Sequence, residues 1–163
     1  GKTIGVIGLG AIGQRTAKLA QAFGCNVIAW NRTPRIVAGV TIVDKETLFK
    51  EADIVTIHIA LNDETRDFVT AKELALMKRS SIIVNAARGP IVNAQDLSDA
   101  LKEGRISGAA LDVYDVEPPL DSNNPMLDAP NTILLPHIGF ATKEAFELRL
   151  GIVVNNVEQF CKQ

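Results

Sequence analysis

Residues 3–13 read Thr3-Ile4-Gly5-Val6-Ile7-Gly8-Leu9-Gly10-Ala11-Ile12-Gly13, an apolar run ending in G-x-G-x-x-G at Gly8–Gly13. Glycine patterns of this kind are common in turns, but a strand before this one and a helix after it give it a mechanism. Gly8 allows the tight turn, Gly10 the close approach of a pyrophosphate, and Gly13 the packing of helix on strand. The amides that open the helix, at Ala11 and Ile12, then face an anion with the helix dipole behind them. The plainer alternative, a glycine turn that only joins strand to helix, is disfavoured by this placement.

Outward from this stretch, apolar runs alternate with helical patterns almost to the end of the chain, as in a parallel sheet covered by helices. Strands are expected at Thr3–Gly8, Asn26–Trp30, Thr41–Val43, Asp53–Ile59, Ser81–Ala86, Gly108–Val113 and Thr132–Leu135. Most are continuous apolar runs, which suits strands buried on both faces. Helices are expected at Ile12–Phe23, Lys45–Glu51, Ala71–Met77, Ala94–Glu103 and Lys143–Cys161, with Gly24 and Gly104 as stops and Asn93 and Thr142 as N-caps. The segment Glu117–Asn131 holds four of the seven prolines and reads as an ordered loop. The prediction is an α/β fold, a doubly wound parallel sheet (Rossmann) with helices on both faces. It forms one dinucleotide-binding domain over residues 1–163, with ligands beyond the carboxyl ends of the strands.

The chain has 163 residues, 47% hydrophobic and 22% charged, with a formal charge of -2. That balance gives no electrostatic reason to expect nucleic acid or an acidic membrane as partner. The two cysteines, Cys25 and Cys161, build neither a disulfide framework nor a metal site, and no metal is expected. No apolar run reaches the ~20 residues that span a bilayer, and a cytoplasmic protein is expected. The opening Gly1-Lys2-Thr3, without methionine, suggests a piece of something larger.

The end of the second strand bears on the choice of cofactor. NAD sites normally place Asp or Glu there for the ribose hydroxyls. Here Asn31 stands 18 positions after Gly13, followed by Arg32, Thr33 and Arg35. No carboxylate repels a 2′-phosphate, and two guanidiniums with a hydroxyl suit it. The reading favours NADP over NAD, against the blander possibility of a solvated turn.

Three later strand ends carry chemistry: Arg88 with Gly89, Asp112 with Glu117, and His137 before Ile138-Gly139. Reduction of a 2-keto acid needs a proton donor and a cation for the carboxylate, which His137 and Arg88 supply. Glu117 would orient the imidazole and favour its charged form. Singly each residue has an ordinary structural reading; together, behind a nucleotide fingerprint, they point to a reductase. His58 has no evident partner in sequence and reads as structural, or as a wall of the nicotinamide or adenine site.

The order G-x-G-x-x-G, N-x-x-R-G-x-[IL]-V, L-D-V-[YF]-x-x-E-P and P-H-I-G resembles the D-isomer-specific 2-hydroxyacid dehydrogenases over essentially the whole chain. The resemblance implies an Arg88–Glu117–His137 active site acting on a small 2-keto or 2-hydroxy acid. It also implies cofactor contacts at Gly10–Gly13, Asn31–Arg35, Ile59, Ala60, Ala86, Ala87, Arg88, Asp112 (beside the nicotinamide amide), His137 and Gly139. An arginine after the second strand resembles the family's NADP-using reductases. Phe140 departs from the small residue usual after His-Ile-Gly, and Ile59-Ala60 from a pair ending in proline. The family's second, substrate-binding domain is absent from this stretch, so the chain alone is expected to bind nucleotide but turn over poorly. A homodimer is expected, with apolar residues of Lys143–Cys161 and the proline loop as contacts or else as filling for this domain's own core. The rival reading is a nucleotide-sensing co-regulator or other non-catalytic binding module. It would not need the Arg–Glu–His set.

Overall fold

A computed structural model describes residues 1–33, 35–118 and 120–162. Pro34, inside the expected Asn31–Arg35 contact stretch, and Pro119, inside the proline loop, lie outside the described residues. Seven strands form one sheet: β1 (Thr3–Ile7), β2 (Asn26–Trp30), β3 (Val40–Ile42), β4 (Ile54–Ile57), β5 (Ile82–Asn85), β6 (Gly108–Leu111) and β7 (Thr132–Leu134). Their order is β3-β2-β1-β4-β5-β6-β7, every pairing parallel. The helices are α1 (Ala11–Ala22), α2 (Lys45–Glu51), α3 (Ala71–Leu76), α4 (Ala94–Lys102) and α5 (Lys143–Cys161). Each lies where its apolar pattern put it. β3 begins one residue early, at Val40, and the Val43 amide closes its ladder with β2 by bonding to the Ala29 carbonyl.

The register explains where a ligand can sit. Trp30 pairs with Ile7, Ile7 with Ile57, Ile57 with Asn85, Asn85 with Leu111, and Leu111 with Leu134. Six strands therefore stop at one level. The next residues of each (Asn31, Gly8, His58, Ala86, Asp112 and Leu135) form a common upper edge. Chain order reverses between β1 and β4, so the crevice of a doubly wound sheet opens above Gly8 and His58.

Alternate residues of each strand feed opposite faces. One face is a core of Ile7, Ile57, Ile83 and Leu111 under Leu48 and Phe49 of α2, Leu74 of α3 and Leu97 of α4. The other, smaller core packs Val6, Val27 and Ala29 against Ala17 and Ala20 of α1. Farther along that face, Ile82 and Ile133 are exposed. α5 is a regular nineteen-residue helix capped by Thr142, yet none of its residues is buried. Its apolar side chains therefore do not fill this domain's core, whereas the proline loop does, through buried Met126 and Ala129. No helix among the described residues is long and apolar enough to cross a membrane.

Candidate active site and nucleotide cleft

The glycine loop divides its work among three positions. At Gly13 an added Cβ would stand 1.9 Å from the Gly8 carbonyl oxygen, so the helix could not seat on the strand. Gly8 has φ +95°, and its Cβ would meet Ile59 and the His58 carbonyl. These two are required by the protein itself. A Cβ at Gly10 would meet nothing within 4 Å. Gly10 instead keeps open a space outside the protein, as a loop that lets a pyrophosphate approach must. Gly10 is also the N-cap of α1, where no side chain caps the helix and no acid lies in the first turn. The first-turn amides, from Ala11 and Ile12 onward, are left to an external anion. The residues present fit a dinucleotide.

Beside the loop lies a cleft of ≈ 420 Å³ whose wall includes Gly8, Gly10, Asn31, Arg32, Thr33, Ile59 and Ala60. Trp30 lines it too, its ring tilted against Phe68 with centroids 4.8 Å apart. Asn31 is already committed. Its Oδ1 accepts from the Leu9 amide at 2.8 Å and its Nδ2 donates to the Thr33 carbonyl, tying the glycine loop to the end of β2. Arg35 donates to the Leu9 carbonyl at 3.0 Å and Arg32 pairs with Glu64.

His58 lines the same cleft and does have a partner: its Nε2 shares a 3.1 Å hydrogen bond with Thr56 Oγ1. Burial holds its imidazole below histidine's ordinary pKa. A lowered histidine contributes stability that is complete above the unfolded pKa of about 6.5 and is lost as pH falls from there through the lower folded pKa. His58→Gln should therefore lose less stability than the parent between pH 7 and pH 5, measured as the shift in urea midpoint.

A second cleft, ≈ 680 Å³, opens at the ends of β5, β6 and β7 and brings Arg88, Glu117 and His137 onto one wall. His137 Nδ1 lies 3.1 Å from Glu117 Oε1, with the two side chains 37% and 22% exposed. Tyr114, Leu120, Pro136 and Phe140 complete a mostly apolar lining. Phe140 meets the His137 ring edge-on, centroids 5.8 Å apart.

Three details of this site were not anticipated. Asn85, fully buried at the end of β5, donates to the Arg88 carbonyl and accepts from the Ala87 amide, and so shapes the Ala86–Arg88 turn. Gly89 serves close approach: its Cβ would fall 2.1 Å from the Tyr114 backbone. Tyr114 itself, buried, donates to the Leu135 carbonyl at 3.0 Å and joins β6 to the histidine segment.

Asp112 is buried, and its two oxygens accept from the Ile138 and Gly139 amides at 2.8 and 2.7 Å. The same contact excludes any side chain at Gly139, whose Cβ would lie 2.8 Å from Asp112 Oδ2. It holds a strained neighbour, since His137 has φ +53°. For a non-glycine residue that conformation costs on the order of 1–3 kcal/mol and persists only where the surroundings impose it. Here two charge-assisted bonds impose it. Asp112→Ala leaves two amides without acceptors and should cost about 2–4 kcal/mol, read as a lowered denaturant midpoint at unchanged slope.

Residues 1–139 match the family described as D-isomer specific 2-hydroxyacid dehydrogenase, NAD binding domain. This chain belongs to that family. It is 46% identical over 164 residues to the D-3-phosphoglycerate dehydrogenase of Methanocaldococcus jannaschii, covering 98% of this chain and 31% of that protein. It is 43% identical over 166 residues to the glyoxylate reductase of Thermococcus litoralis, covering 99% and 50%. Among solved structures, an acyclic imino acid reductase in complex with NADPH and D-Arg superposes with a TM-score of 0.87 at 37% identity, over 99% of this chain and 52% of that one. The chain spans half or less of the curated relatives named here.

Proposed function

We propose that this chain is the cofactor half of an NADP-preferring reductase of small 2-keto acids to D-2-hydroxy acids. The observation that carries this is the convergence of Arg88, Glu117 and His137 on one apolar cleft, with the His–Glu pair at 3.1 Å. The cofactor supplies a hydride for the carbonyl carbon. Arg88 is exposed, and its side chain donates to its own Ala87 carbonyl, so its guanidinium is available to clamp the substrate carboxylate through two parallel bonds. Nδ1 of His137 faces Glu117, which leaves Nε2 to hold the proton that passes to the carbonyl oxygen. Glu117 orients the ring through the contact to Nδ1; in the oxidative direction Nε2 takes the proton back. The mostly apolar lining would keep water from these charges once a second domain covers the cleft.

The rest of the substrate pocket comes, in this reading, from a second domain of the longer protein, and the chain alone binds nucleotide but turns over poorly. The bare sheet face around Ile82 and Ile133 and the exposed α5 are the surfaces where that domain and a second subunit of a homodimer would pack. A cytoplasmic location fits two unpaired cysteines. Support for NADP is Arg32 on the cleft wall at the end of β2, where the usual carboxylate is replaced by an already engaged Asn31; Arg35 does not line the cleft and donates to the Leu9 carbonyl.

The test is a titration with NADPH and NADH followed through Trp30, the sole tryptophan, which lines the adenosine cleft. Tighter NADPH binding that weakens with salt and is lost in Arg32→Ala is expected. Equal or tighter NADH binding would refute the preference.

A further inference from the structure

The guanidinium expected to meet a 2′-phosphate is not idle. Arg32 Nη1 lies 3.1 Å from Glu64 Oε2, and both residues stand on the wall of the adenosine cleft. Glu64 is the one carboxylate on that wall among the described residues. It is also held in position by its loop. Asn62 Oδ1 accepts from the Glu64 and Thr65 amides, both at 3.0 Å, while Thr65 Oγ1 donates to the Ala60 carbonyl at 2.7 Å. The side chain can swing, but its backbone stays at the mouth.

We propose that Glu64 is a specificity-determining residue: the counter-ion that a 2′-phosphate must displace from Arg32. The proposal rests on the reading that Arg32 faces the adenosine ribose. A nucleotide lacking the phosphate leaves the pair intact. One carrying it exchanges a carboxylate for a dianion and leaves Glu64 unpaired beside that dianion. The side chains are 72% and 74% exposed, so the pair is weak and the exchange is possible. Specificity is a difference between two affinities, and Glu64 acts on only one of them. It thus keeps discrimination below what an unpaired Arg32 would give.

Glu64→Gln keeps the size of the side chain and removes its charge. It should tighten NADPH binding by roughly threefold to tenfold and change NADH binding by less than about twofold, a gain that shrinks with added salt. The decisive series is wild type, Arg32→Ala, Glu64→Gln and the double variant, each titrated with NADPH and NADH through Trp30 fluorescence. The gain should vanish when Arg32 is absent. An unchanged or weaker NADPH affinity in Glu64→Gln, with Arg32→Ala still damaging it, overturns the proposal and spares the phosphate reading. Unchanged NADPH binding in Arg32→Ala overturns the phosphate reading itself. Weaker NADH binding in Glu64→Gln would make Glu64 a ribose acceptor, which also overturns the proposal. Binding of neither nucleotide would sink both.

Discussion

On the proposed function, replacing His137 by Gln should lower kcat for 2-keto acid reduction about 10²–10⁴-fold in a protein that carries this chain with a substrate domain, with NADPH affinity within about twofold of the parent. The magnitude is that of a general acid withdrawn from a transition state that still has its hydride donor and its carboxylate clamp. Glutamine keeps a polar side chain of similar reach and can still donate to Glu117, which lies 3.1 Å from the imidazole in the parent. What it lacks is a proton it can give away. His137 also has φ +53°, a conformation imposed by Asp112 on the next two amides rather than by the imidazole. The backbone should therefore keep its course in the variant, and the loss should appear in kcat. Steady-state kinetics beside a nucleotide titration separate the two effects. A variant that loses NADPH binding in step with turnover would place His137 in the nucleotide site instead.

Arg88→Ala should lower kcat/KM by roughly 30- to 1000-fold, about 2–4 kcal/mol, the usual cost of removing one side of a close, desolvated charge contact. Arg88 is exposed, and its side-chain hydrogen bond goes back to Ala87. Asn85, rather than the guanidinium, holds the turn in place. The thermal midpoint should accordingly shift little. Arg88→Lys keeps the charge and loses the planar fork, so it should recover only part of the activity. A fall in stability as large as the fall in activity would make Arg88 a structural ion-pair partner.

The sheet was legible because its central strands β1, β2 and β4 are largely buried and read as unbroken apolar runs. The glycine loop was legible because its context constrains it. What lies between distant segments was not. Arg32 and Glu64 are 32 positions apart, and no periodicity links them. The resemblance places Asp112 beside the nicotinamide amide, but that its oxygens also accept from backbone amides 26 and 27 positions away was not legible. Backbone donors leave no mark in the identity of the residue that carries them. Gly139 held a trace of that contact, since a side chain there would strike Asp112. The partner of His58 could have been found: Thr56 lies two residues earlier, and strand alternation puts the two on one face. The apolar content of α5 was plain, but whether it meets this domain or another surface depends on the path of the chain.

The most direct test of the central claim is the stereochemistry of the product when the longer protein reduces hydroxypyruvate with NADPH. D-glycerate alone, formed in step with NADPH oxidation and abolished in His137→Gln, is the predicted result. L-glycerate, or no oxidation of either NADPH or NADH across small 2-keto acids, would contradict it.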